Sequence, residues 1–167
     1  MRCRSNVHVR ARLPSIAGWI ILALAPAASP AAAPTEEAQT NVFDDPFLQV
    51  TDAIPDCPRQ EAPRITPSEM RAEAHSRAER GTRCYQSGQC RLPNAYLYDR
   101  EIVPRAKAAI LYDGRFSGTS IWVLGQRRWV WLKGCVRTPE QSAAAEKLVR
   151  SIDDVETVIN ELVVRKR

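Results

Sequence analysis

The sequence predicts an α+β protein: a small αββαβ module with a three-stranded sheet and two helices on one face, preceded by a further helix and a disulfide-capable loop. Three observations carry this reading. Apolar residues recur at helical spacing in two stretches, two β-prone runs flank a short polar turn between them, and a Thr-Pro capping sequence occurs twice, as Thr66-Pro67-Ser68-Glu69 and Thr138-Pro139-Glu140-Gln141.

Taken in order, residues 1–33 read as a secretory signal. Arg2, Arg4, Arg10 and Arg12 precede the apolar stretch Ile16–Ala28, and small residues then place cleavage within Ala27–Ala33. The apolar stretch is too short for a membrane span, which takes about 20 residues; an uncleaved N-terminal anchor is the alternative. Residues 34–65 read as a Pro-rich linker, with Pro46, Pro55, Pro58 and Pro63 excluding regular elements.

Residues 66–98 form the next unit. Thr66 caps a helix that Gly81 should stop near Arg80, and its surface is mostly charged (Arg71, Glu73, Arg77, Glu79, Arg80). A loop with two cysteines follows and ends in Tyr96-Leu97-Tyr98.

Residues 99–167 carry the clearest periodicity. Ile102, Ala106, Ala109, Ile110 and Tyr112 mark a helix ending at Asp113-Gly114, and Pro104 has to lie in its first turn or shorten its start. Ser120–Leu124 and Trp129–Val136 read as a hairpin across Gly125-Gln126-Arg127-Arg128. A helix with Ala145, Leu148, Val149 and Ile152 on its apolar stripe follows, and Val155–Val164 supplies the last strand.

The run Val130-x-Leu132-x-Gly134-x-Val136, the Pro-initiated helix, and Asp154-Val155-Glu156-Thr157-Val158-x-Asn160-x-Leu162-x-Val164 together resemble the BON domain of bacterial envelope proteins, over about Glu101–Val164. Each element has a physical role. Val130, Leu132 and Val136 face the helices, Gly134 on the same face permits close helix approach, Asp153-Asp154 forms a turn, and the Asn160 amide bonds neighbouring backbone. The resemblance implies a non-enzymatic module of the periplasm or cell envelope. Phospholipid binding, envelope integrity and osmotic-stress tolerance are linked to that family. One BON-like unit is present here, where an osmotically inducible periplasmic member has two.

Charge adds little. The formal +5 falls to +1 when residues 1–33 are set aside, leaving 20 basic against 19 acidic side chains, so no nucleic-acid partner is expected. Export leaves Cys57, Cys84, Cys90 and Cys135 in an oxidising compartment. Four cysteines allow three pairings. Cys84 and Cys90 can close a small loop across Gln86-Ser87-Gly88, which would leave Cys57 for Cys135; a metal or thiol-redox site is the alternative, but no histidine or C-x-x-C spacing supports it. No cofactor or metal is expected.

Alternation along the strands turns Trp122, Trp129 and Trp131 to the helix-free face, with Arg127, Arg128 and Lys133 beside them. This is the candidate membrane- or partner-binding face, because Trp favours headgroup depth and basic groups attract anionic lipid. The competing reading is that the Tyr96-Leu97-Tyr98 region folds over the tryptophans, with a Cys57–Cys135 bridge pulling the linker in the same direction. The partner expected is an anionic phospholipid surface; the alternative is a role as accessory factor to an envelope or secretion assembly. An enzyme is not expected. His75 lies alone on a charged helix, and no phosphate loop, H-E-x-x-H or G-x-S-x-G motif occurs.

Overall fold

A computed structural model describes residues 37–166; the expected signal at 1–33 and the terminal Arg167 lie outside the described residues. The capping sequence at Thr66 acts as its residue types dictate. Thr66 Oγ1 accepts from the Glu69 N–H at 3.2 Å, and the Glu69 carboxylate accepts from the Thr66 N–H at 2.7 Å, so two free donors are satisfied reciprocally. Helix α1 then runs Pro67–Gln86, through the expected stop at Gly81. A Cβ at Gly81 would collide with the Asn94 side chain, so this glycine serves the close approach of a loop rather than a helix end. The chain leaves the helix at Ser87 and Gly88, and Gly88 takes the left-handed φ of 75° that a helix terminus favours.

The expected linker contains a strand. Phe47–Gln49 form β1, a three-residue edge strand, and Val50 and Ala53 continue to donate to the carbonyls of Ile121 and Thr119. Proline cannot donate to a ladder, yet it still accepts: the Pro46 carbonyl takes the Gly125 N–H at 3.0 Å. The prolines bound the strand without forbidding it.

Helix α2, Asp99–Asp113, continues directly from a single 3-10 turn at Ala95–Tyr98. Pro104 therefore lies inside the helix and not in its first turn. Ile102, Val103, Ala106 and Ile110 are fully buried, whereas Tyr112, expected on the same stripe, is 94% exposed. Two residues on from Ile110 is more than half a turn round the helix, and that direction is solvent.

Strands β2, Ser120–Gln126, and β3, Trp129–Val136, form the hairpin; α3, Pro139–Arg150, and β4, Thr157–Val164, complete the fold. The sheet has four strands rather than three, in the order β1-β2-β3-β4, with only the β3–β4 pair parallel. Val130, Leu132, Val136, Ile121 and Val123 are buried in one core with Ala106, Ile110, Ala145 and Val149, so α2 and α3 cover one face of the sheet.

The glycine that admits a helix is Gly125, not Gly134. A Cβ on Gly125 would lie 2.6 Å from Val103 Cγ2, in α2. Gly134 has φ 111°, and a Cβ there would strike the Ser120 carbonyl and the Trp122 ring, so it accommodates a tryptophan lying across the strand. Asn160 locks α3 to β4: its amide donates to Ser142 Oγ at 2.9 Å and to Glu146 at 3.2 Å, while its carbonyl accepts from Leu162 N–H.

Candidate functional site

The β2–β3 turn consists of Arg127 and Arg128, with φ of 57° and 67°. A two-residue hairpin wants left-handed backbone at both central positions, which Asn and Gly supply at least cost. Arginine is held there by a buried acid. Asp99, fully buried at the start of α2, accepts the Arg127 and Arg128 N–H groups at 2.6 and 2.8 Å, one on each carboxylate oxygen. Burial pushes the Asp99 carboxyl up to about 7, against the downward pull of those two donors.

A second buried acid organises the region outside the helix-covered core. Asp45, 5% exposed, accepts from Arg77 at 2.5 and 3.2 Å and from the Gln126 amide at 2.5 Å. The Arg77 guanidinium lies between the Phe43 and Tyr96 rings, 4.0 and 3.9 Å from their centroids. Arg77, expected on the solvated face of its helix, thus joins α1, the segment before β1, the turn before α2 and the end of β2. Glu73, four residues before Arg77 in α1, pairs with Arg80 at 2.9 Å.

Two disulfides hold the same region, Cys57–Cys135 and Cys84–Cys90. The first ties the segment after β1 to the helix-free side of β3. Ile54 is buried there, with its N–H bonded to Ser120 Oγ at 2.9 Å.

The helix-free face is accordingly part core. Trp122 is 5% exposed and Leu124 4%, so Trp122 is withdrawn from the expected binding face. What packs over this side includes residues 40–65, with Tyr96 as the contribution from the aromatic run; Tyr98 is buried in the main core instead. Trp129 and Trp131 remain half-buried, 6.2 Å apart between ring centroids, and line a cleft of about 530 Å³ with Val42, Phe43, Ile65 and Arg127. Trp129 Nε1 is buried and has no acceptor among the described residues. Arg127 stacks on Trp129 at 4.8 Å.

The other two expected cations lie elsewhere. Arg128 turns from the tryptophans, donating to the Asp154 carbonyl at 2.8 Å and lying 5.3 Å from the Tyr98 ring. Lys133 is paired across the ladder with Glu161 at 3.1 Å. Alternation predicted the side of each strand residue; it cannot show which neighbour neutralises it. A second cleft, about 420 Å³, opens between the end of α1 and the β2–β3 turn, lined by Arg80, Arg83, Arg127 and Arg128.

Residues 98–166 match the BON domain. No curated protein matches the chain. The BON match covers the main core and the tryptophan hairpin; β1, α1 and both N-terminal partners of the disulfides lie before it. BON domains are non-catalytic modules associated with phospholipid binding, in proteins that are generally periplasmic or envelope-associated. Among the described residues no helix is long and apolar enough to cross a membrane, and no cluster of His, Cys, Asp or Glu is placed to hold a metal ion.

Proposed function

We propose that this protein is a non-enzymatic binding module of the bacterial cell envelope. It associates with anionic phospholipid through the Trp129–Trp131 cleft and so supports envelope integrity under stress. The observation that carries the reading is the pairing of two half-buried tryptophans with Arg127, which has no acidic partner among the described residues, on a cleft between the hairpin of the BON-matching part and the residues before it. Indole rings favour the headgroup layer, and a basic group adjoining them gains from anionic lipid. The disulfide pairs fit an oxidising compartment, and the expected signal would deliver the chain there.

Vesicle flotation tests it. The purified protein should float with phosphatidylglycerol vesicles and not with phosphatidylcholine, and Trp131→Ala should reduce flotation several-fold. No flotation on anionic vesicles would overturn the reading. The accessory-factor alternative is favoured by a different feature: β4 pairs on one side only, so its outer edge is open to strand addition. Capture of an envelope protein that survives Trp131→Ala and fails on insertion of proline into β4 would select it.

A further inference from the structure

We propose that the cleft between the end of α1 and the β2–β3 turn binds a phosphate-type oxyanion. Four arginines line it, Arg80 and Arg83 from α1, Arg127 and Arg128 from the turn, against one lining acid, Glu156. Their partners leave positive charge over. Arg80 is paired with Glu73 at 2.9 Å, and Arg128 is 3.9 Å from Glu156. Arg83 and Arg127 have no ion pair and no side-chain hydrogen bond among the described residues; Arg127 only stacks on Trp129. Crowded like charges repel, and a polyanionic group placed among them removes that cost while guanidinium forks supply paired donors.

Both walls are fixed. The Cys84–Cys90 bridge anchors the end of α1, with Cys84 itself in the lining, and Ser87 and Gln89 add polar groups beside it. Asp99 fixes the other wall by accepting both backbone N–H groups of the turn. Arginine at two positive-φ positions also runs against local backbone preference, which a hairpin built only for stability would meet with Asn-Gly. Arg80 and Arg127 line this cleft and the tryptophan cleft alike, so an anion here lies next to the apolar wall. The inference rests on the lipid reading for the source of the phosphate, and not for the site.

The test titrates the full chain with sodium phosphate against sodium chloride at equal ionic strength, following tryptophan emission, for which Trp129 beside Arg127 is the reporter. Phosphate should give a saturable change that chloride does not. The Arg83→Gln/Arg127→Gln variant should bind at least tenfold more weakly, and Lys133→Gln as the parent does. Equal responses to the two salts, or an undiminished double variant, would overturn the site. Phosphatidylglycerol vesicles then separate the sources. Displacement from vesicles by phosphate assigns a lipid headgroup. Phosphate binding without flotation assigns free phosphate and removes the lipid reading alone. Flotation indifferent to phosphate and to Arg83→Gln alone, with no phosphate response in the titration, overturns this site and leaves the lipid reading standing.

Discussion

In residues 98–166 most of the buried side chains are aliphatic and most of them meet in one core, with Tyr98, Phe116 and the acid Asp99 buried as well, whereas in residues 37–97 the buried side chains are few: Val50, Ile54, Ala95 and the acid Asp45. The BON domain is held by many small contacts that back one another up. The segment before it is held at discrete points: Asp45 with Arg77, Cys57 with Cys135, Ile54 with Ser120. A structure of the first kind degrades gradually under substitution; one of the second kind depends on single residues.

The largest expected effect comes from removing the longest tie. Cys57 and Cys135 are 78 residues apart, and opening a loop of that length restores entropy to the unfolded chain worth about 4 kcal/mol. Cys57→Ser/Cys135→Ser should lower stability by about that much in chemical denaturation. Hydrogen exchange should show residues 46–57 losing protection ahead of β3 and β4. Uniform loss of protection through both regions would mean that the two are one cooperative unit and the contrast is false.

Arg77→Met comes next. It leaves Asp45 buried with Gln126 as its side-chain donor, and stranding one member of a buried pair costs about 3 kcal/mol. Asp45→Asn added to it should recover much of the loss. The core amides of α3 and β4 should keep their relative protection, because no contact of Arg77 reaches them. If the double variant is no better than the single, the stacking of Arg77 between Phe43 and Tyr96 carries the joint, rather than its charge.

This division also explains what was legible in the sequence. α3 and β3 announce themselves because their burial follows a regular period: Ala145 and Val149 on one, Val130 and Leu132 on the other. Arg77 does not, because an arginine between two rings on a buried carboxylate has the same local sequence as a solvated one. β1 was hidden by its prolines, and the extension of α1 by Gly81, whose role depends on Asn94, 13 positions further on. The tryptophan face was readable from alternation. Its cover was readable in part, through Tyr96 and the Cys57–Cys135 pairing, but not the contribution of residues 40–45, which comes from a distant part of the chain. The hairpin was readable across residues 125–128, but not that its turn is Arg127 and Arg128 alone, because the stabilising acceptor, Asp99, belongs to another element.

The smallest expected effect, at Asp99, is the one whose sign is least intuitive. Its folded-state carboxyl is raised from about 3.8 to about 7, so between those values the native state holds a proton that the unfolded chain has released. Stability from this group is therefore fully present below about pH 4 and is lost as the pH rises through 7. The two turn amides oppose this, because each needs a free acceptor oxygen. In Asp99→Asn the pH dependence between 4 and 7 from this group should vanish, while one turn N–H faces an amide donor, as it faces the carboxyl O–H of the protonated parent. Denaturation midpoints of parent and variant should lie closest at pH 4, where the protonated carboxyl offers one acceptor and one donor as the amide does, and should separate as the pH rises to 8 and the parent loses stability. A constant gap across that range would mean that the carboxyl is already ionised at pH 4, and that the two amides outweigh burial at this site.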